Sequence, residues 1–521
     1  NGISEDCISC LLPVTHNIRR ISICLSTYIC QVAFWFLLSP NGISLTKFAP
    51  FYMSQATEDG SLETIELQKR VKYWQVDALK AFAIALVVLD HSLTWDLKSL
   101  IGGVFWERTA IPIFMIIMGF NIGLSFKDKG VTTLRELYSR EYFKNKIERY
   151  ILPFLLLYWG SFILGLYFNS LTWNEYTLIG WLPFWGPGNW FIPVLFSSIL
   201  VLPLVYRGYI SYPKLTVSLC FMSEILLQLF LFYNVPLQLV DGNWQYTSYA
   251  SAFLTSVIRT NVLFLLPAVG LGLWFTDSPN IKAKRNRLMW VALPLSVIYM
   301  IAYQILGFRA FIIDGIYRHN LIWGDYTFLV IPYSAFLFLL AMRYLPSTPQ
   351  TRLQNIIQRV GRASYHILLI QIFYYSIWYY NNPNWANVGF GSDVLSHFWF
   401  YVVSLVLTFI VGIAWYEAER VAYKRGKSWW RHNYVRRVGY FGSSLISLVS
   451  MGMIIEVVSE LTGLAAFGRR YGIIAFNSTT GPGIMANFVV ILIMLSVCLF
   501  FIYKAFTTMD EEIPLELLES N

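Results

Sequence analysis

The chain has 521 residues, 56% hydrophobic and only 13% charged, with a formal net charge of +9. A soluble domain carries about 25% charged residues, so the composition excludes a soluble globular enzyme. The positive charge does not indicate nucleic acid, because Lys and Arg sit in short loops between apolar blocks, where they carry topology.

The first methionine is Met53. Residues 1–52 differ in composition from the remainder of the chain and are expected to be an extension outside the native protein. Arg19 and Arg20 lie next to a moderately apolar stretch, 20–38, which leaves a signal or anchor helix as the alternative. Residues 53–72 are a polar lead-in. Cys7 and Cys10 form a lone CxxC with no second pair, so no zinc site and no other metal site is expected. Cys24, Cys30, Cys220 and Cys498 suggest no disulfide framework, and no Walker or dinucleotide glycine motif is present.

Apolar blocks occur at about 75–95, 104–126, 150–168, 189–206, 213–233, 250–275, 288–306, 324–344, 364–381 and 397–416, with two more at about 438–458 and 484–503. Many approach the roughly 20 residues that a bilayer helix needs. They predict an all-α polytopic membrane bundle with a ten-helix core over 73–425, about two additional helices over 426–505, and an acidic tail over 506–521. Basic residues gather in alternate loops, above all 127–149, 282–287, 343–362 and 424–437. The loops 169–188, 234–249 and 382–396 have almost none. By the positive-inside bias, the basic loops and both termini of the chain from Met53 onward are cytoplasmic. Asn477-Ser478-Thr479 is a formal glycosylation sequon on the opposite side.

Ionisable residues inside membrane helices are costly and mark function more often than chance. Block one holds Lys80, Asp90 and His91. Eleven residues separate Lys80 from His91, which returns to nearly the same helix face about 16 Å further along. A cation near the cytoplasmic end and a titratable imidazole deeper on one stripe suit a long anionic ligand whose reactive end meets a general base. The alternative is a snorkelling lysine and a satisfied boundary histidine. Neighbours on a helix point about 100° apart, so Asp90 is not expected to orient His91. Glu224 and Arg259, at similar depths in blocks five and six, are either a structural ion pair or substrate contacts.

Block one runs from Asp77 through Lys80 and ten intervening residues to His91. Further on come Pro112-Ile113-Phe114 with Gly119-Phe120, Lys146-Ile147-Glu148-Arg149 with Pro153, and Trp190-Phe191-Ile192. Leu265 to Gly270, Gly361 to Gln371, and Glu419-Arg420 complete the series. In order, spacing and sidedness this series resembles the membrane acyltransferase-3 family over residues 72 to about 425. Lys80 stands where Arg is usual, Met118 where Ser is common, and Gln371 where His is often found.

The resemblance implies an integral-membrane O-acyltransferase with no permanently bound cofactor. Its co-substrate would be an acyl-CoA, acetyl-CoA being the expected donor, and its acceptor a glycan or glycolipid hydroxyl. The resemblance strengthens the spacing-based reading of His91 as catalytic base and Lys80 as a donor contact, with Lys146 and Arg149 as further donor-binding residues; the expected location is the plasma membrane. A non-catalytic family member, an assembly subunit or a transporter is the alternative; no pair of broken helices in two halves, the transporter signature, stands out.

Overall fold

The computed structural model describes residues 73–171, 180–235, 249–306, 326–381 and 394–429, with positions 176, 237–240, 243–247, 311–313, 319–321 and 500 in addition. The expected N-terminal extension, the polar lead-in, the sequon, the acidic tail and nearly all of the two additional C-terminal helices lie outside the described residues. The described residues between 73 and 419 belong to one compact unit, and described residues from Arg420 to Trp429 belong to a second.

The first unit is built of helices. In chain order they are α1 (Trp74–Ser92), α2 (Trp95–Leu100), α3 (Val104–Glu107), α4 (Ala110–Asp128), α5 (Leu134–Leu137) and α6 (Arg140–Lys146). A π-helical turn, Ile147–Ile151, joins α6 to α7 (Leu152–Tyr167). Then come α8 (Phe191–Ser211), α9 (Pro213–Asn234), α10 (Tyr249–Arg259), α11 (Leu266–Phe275), α12 (Leu288–Leu306), α13 (Ile331–Tyr344), α14 (Arg352–Asn381) and α15 (Val394–Trp429), the last of which runs on into the second unit. Two short antiparallel hairpins sit in connections: β1 (Leu237–Val240) pairs with β2 (Asn243–Tyr246), and β3 (Phe311–Ile313) with β4 (His319–Leu321).

Six helical segments among the described residues are long and apolar enough to cross a membrane, or seven if the bent pair α10–α11 counts as one span. The sequence reading has ten spans in this region, and the difference is physical. Helix α1 carries Asp77, Lys80 and Asp90; α13 has only 14 residues; α14 begins at Arg352 rather than near 364 and includes Arg359 and Arg362. The block at 250–275 is not one rod. It bends by 55° where Asn261 caps a 3-10 turn through Leu263 N–H, just before Pro267.

The outer faces are apolar. Leu215, Leu219, Leu226 and Phe230 on α9, Val291, Leu295, Ile298 and Ile305 on α12, and Trp399, Val403, Val406 and Ile410 on α15 are all exposed, at spacings of three, four or seven residues that keep them on one face. Stripes of this length would drive aggregation in water, whereas hydrocarbon solvates them. The chain is a multi-pass membrane protein.

The core lies between α1, α4, α11, α13 and α14, around fully buried Ile84, Ile113, Ile116, Phe338 and Leu369. Glycines set the closest approaches. A Cβ on Gly119 of α4 would strike the Val269 carbonyl of α11, and one on Gly272 of α11 would strike the Ile116 carbonyl of α4. A Cβ on Gly361 of α14 would strike the Asp77 carbonyl of α1. Small residues at crossings let membrane helices pack backbone to backbone, where van der Waals contact rather than hydrophobicity drives association.

Candidate active site

Helix α1 is held along its whole length by neighbouring chain. At its start, Trp74 Nε1 donates to the Gln354 carbonyl at 2.9 Å and Gln75 Nε2 to the Leu345 carbonyl at 3.1 Å. At its end, the Tyr379 hydroxyl donates to the His91 carbonyl at 2.7 Å, and the Tyr375 hydroxyl, in contact with Ser92 Oγ, donates to the Val88 carbonyl at 3.1 Å. Helices α1 and α14 therefore form one rigid pair, and both predicted α1 residues sit on it.

Around Lys80 the structure gathers cations. Lys80 Nζ meets Asp77 Oδ1 at 3.1 Å, and Arg362 Nε approaches Asp77 Oδ2 at 3.6 Å. Lys80 is within electrostatic range of Arg149 and Tyr150. The Tyr150 ring sits 5.4 Å from both Lys146 Nζ and the Arg149 guanidinium carbon. Among the described residues, neither Lys146 nor Arg149 has a carboxylate partner. Asp77 alone among the described carboxylates is paired to this group of four cations, which leaves a net positive cluster.

The π-helical turn explains how Lys146 and Arg149 come together. Pro153 has no N–H to give the Arg149 carbonyl, so the regular ladder is broken there and Ile147–Ile151 widens into a π-bulge. The Tyr365 hydroxyl of α14 donates to the Tyr150 carbonyl at 2.7 Å and anchors the bulge. Arg362 and Tyr150 are members of the site that sequence reasoning misses. Arg362 is visible there only as one of many basic-loop residues, and Tyr150 carries no signal.

Eleven residues along α1, His91 lines a small cavity of ≈ 40 Å³ together with Asp90, Glu107, Gly188, Trp190 and Tyr326. That is room for about three waters at roughly 10–15 Å³ each. The Trp190 and Tyr326 rings stack at 5.5 Å and form one wall. His91 Nδ1 lies 2.9 Å from Gln371 Oε1, and Gln371 Nε2 donates to the Pro187 carbonyl at 3.3 Å. Asp90 is nearer than the helical-wheel argument expects. At the last turn of α1 its Oδ2 reaches to 3.5 Å from His91 Nε2, while Oδ1 binds Lys98 of α2. The wheel argument compares Cα–Cβ directions and ignores the reach of the side chains.

Of the two roles expected of Glu224 and Arg259, ion pair or substrate contacts, the structure shows no ion pair between them; each has other contacts. The fully buried Glu224 accepts the Phe328 N–H at 2.9 Å, and Gln228 hydrogen-bonds the same carboxylate. Glu224 thus ties α9 to the turn that carries Tyr326. Arg259 ends α10 within electrostatic range of Tyr246 in β2. One further buried contact joins α14 to α15: His366 Nε2 and Glu419 Oε2 are 2.6 Å apart.

The acyltransferase-3 family model, described as an acyltransferase domain, matches residues 73–417. The chain belongs to this family. No curated protein and no solved structure matches it. Within this acyltransferase-3 chain the motif residues separate into two kinds. Gly119, Gly270 and Gly361 are packing contacts: Gly270 lies against Cys220, and the other two against backbone carbonyls. Lys80 and Arg149 belong to the cation cluster, and Trp190 and His91 line the cavity. Met118 is partly buried against the core, as an apolar filler. Among the described residues, no group of three or more His, Cys, Asp or Glu could hold a metal ion.

Proposed function

We propose that this membrane acyltransferase moves an acyl group from an acyl-CoA-type donor, acetyl-CoA being the expected one, to a hydroxyl of a carbohydrate or lipid-linked acceptor. The cation cluster of Lys80, Lys146, Arg149 and Arg362 binds donor phosphates. The positive-inside pattern supports a cytoplasmic entry for that donor and cytoplasmic termini, and the proposed location is the plasma membrane. His91 acts as general base. It takes the acceptor hydroxyl proton as the oxygen attacks the thioester carbonyl; the C–O bond forms, the C–S bond breaks, and the imidazolium returns the proton to the leaving thiolate. Asp90 faces the imidazolium that forms in between.

The observation that carries this reading is the placement of both groups on one helix stripe. The cations surround Lys80, and the imidazole on the same face lines a cavity rather than the lipid surface. The stacked Trp190 and Tyr326 rings beside Asp90 and Glu107 give the small cavity an apolar wall and hydrogen-bonding carboxylates, which supports entry of an acceptor hydroxyl rather than of a whole sugar ring. The test is transfer of label from acyl-CoA into lipid and glycan fractions by membranes holding the full chain. Labelled acceptor in those fractions is expected. Unlabelled fractions from folded protein would return the chain to the transporter or assembly-subunit alternative.

A further inference from the structure

The interval between His91 and the loop at 185–188 is tightly built. Gly188 adopts φ +84°, where a side chain is strained, and a Cβ there would lie 3.0 Å from Gln371 Nε2 and 3.5 Å from His91 Cε1. A Cβ on Gly186 would strike Ser376 Oγ of α14. The two glycines let the loop lie flat on α14 and bring the Pro187 carbonyl to 3.3 Å from the Gln371 amide nitrogen. Gln371 itself is fully buried.

We infer that Gln371 is a positioning residue that fixes the tautomer of His91, holding the proton on Nδ1 and leaving Nε2 as the base that faces the cavity. Donor and acceptor chemistry requires this. A carbonyl can only accept, so the amide NH₂ of Gln371 must be the end that faces Pro187. The other end, Oε1, then faces His91 and can also only accept. The contact at 2.9 Å is therefore made by an Nδ1–H donor. A neutral imidazole with its proton on Nδ1 has its lone pair on Nε2.

The charged and titratable groups around the ring are compatible with this. Asp90 approaches Nε2 only to 3.5 Å and gives its other oxygen to Lys98, so it competes weakly for a proton against a 2.9 Å hydrogen bond. Tyr379 uses its hydroxyl on the His91 carbonyl, Tyr375 uses its own on Val88, and Glu107 lies elsewhere on the cavity wall. A carboxamide has no proton to lose near neutrality, so the tautomer does not change as the donor's charges come and go. The consequence for rate rests on the reading of His91 as base; the tautomer itself does not.

The test is imidazole ¹⁵N NMR of the full chain in lipid nanodiscs at pH 8, with ¹⁵N-histidine. Six histidines give a tractable spectrum, and His91 is assigned by its loss in His91→Asn. Couplings to the ring protons separate the two tautomers. The expected result is Nδ1–H for the parent, a mixture or Nε2–H for Gln371→Leu, and a kcat for that variant about tenfold lower with donor KM unchanged. Gln371→Glu keeps an acceptor at Nδ1, so it should retain the tautomer and move the acidic limb of the kcat profile upward. An Nε2–H parent, or a Gln371→Leu protein with the parental tautomer and pH profile, overturns the inference. Should the parent show Nδ1–H while His91→Ala transfers acyl groups normally, the tautomer assignment stands and the catalytic reading falls.

Discussion

The Tyr365 hydroxyl of α14 donates to the Tyr150 carbonyl at 2.7 Å, in the middle of the π-helical turn that carries Arg149. This contact ties the cation cluster to the same helix that holds Gln371 against His91. Two sites about 16 Å apart along α1 therefore share one rigid partner. Tyr365→Phe removes a hydrogen bond worth about 0.5–1.5 kcal/mol. Donor KM should rise by roughly two- to tenfold, with kcat nearly unchanged. A steady-state donor titration checks this.

The cation cluster makes a stronger prediction. Charge-assisted contacts to phosphate are worth about 1.5–3 kcal/mol each, so Lys146→Ala and Arg149→Ala should each weaken donor binding by roughly one to two decades. Lys80→Arg should keep affinity, because Asp77 can accept from either cation. Isothermal titration with the donor in nanodiscs, at two salt concentrations, reads both points. Unchanged affinity in the Lys146→Ala/Arg149→Ala double variant would remove the cluster from the account.

Packing predicts the third outcome. Gly119→Ala places a Cβ against the Val269 carbonyl, where backbone must move. Overpacking of this kind costs about 1–3 kcal/mol. The melting temperature of the detergent-solubilised protein should fall while Gly130→Ala, at a turn with φ +63° but open space, loses less. Equal loss in both variants would show that the crossing of α4 and α11 is not tight.

Away from the site, Asp277 clamps three elements. Its carboxylate accepts from Tyr209 at 2.7 Å, from Arg285 at 3.0 Å and from Lys127 at 3.2 Å. Burial alone would raise its pKa, but these hydrogen bonds outweigh burial and hold the carboxyl below the ordinary value of 3.8. A carboxyl depressed in the folded state adds stability that is complete above its unfolded pKa and is lost as pH falls through the folded one. Melting curves should show a downward step below about pH 4 that Asp277→Asn removes. An identical step in the variant would assign it to other carboxylates.

Lys80, His91 and the Lys146-to-Arg149 element are legible in the sequence because each is a polar residue in an apolar or motif-bearing stretch, and local spacing carries that signal. Gln371 is legible only as a departure from a family position. Its role depends on α14 packing along α1, which brings together residues 280 positions apart. Glu224 reads as half of an ion pair because depth along a helix can be judged from sequence, whereas azimuth toward the turn at Phe328 cannot. The span count differs for a related reason. Helix α1 carries the charges that disqualify it as a simple apolar span, and the hydropathy of α14 is lowered by its Tyr, Ser, His and Gln residues, so hydropathy is weakest in the two helices that build the candidate site.

The central claim is that His91 performs the proton transfer in acyl transfer. The most direct measurement is a single-turnover rate for His91→Ala in nanodiscs, with labelled acyl-CoA pre-bound at saturation and acceptor added. The account predicts a rate lower by roughly 10²–10⁴-fold, the usual contribution of general acid–base catalysis, with donor affinity and melting temperature preserved. Transfer at the parental rate by the same folded, donor-loaded variant would contradict it.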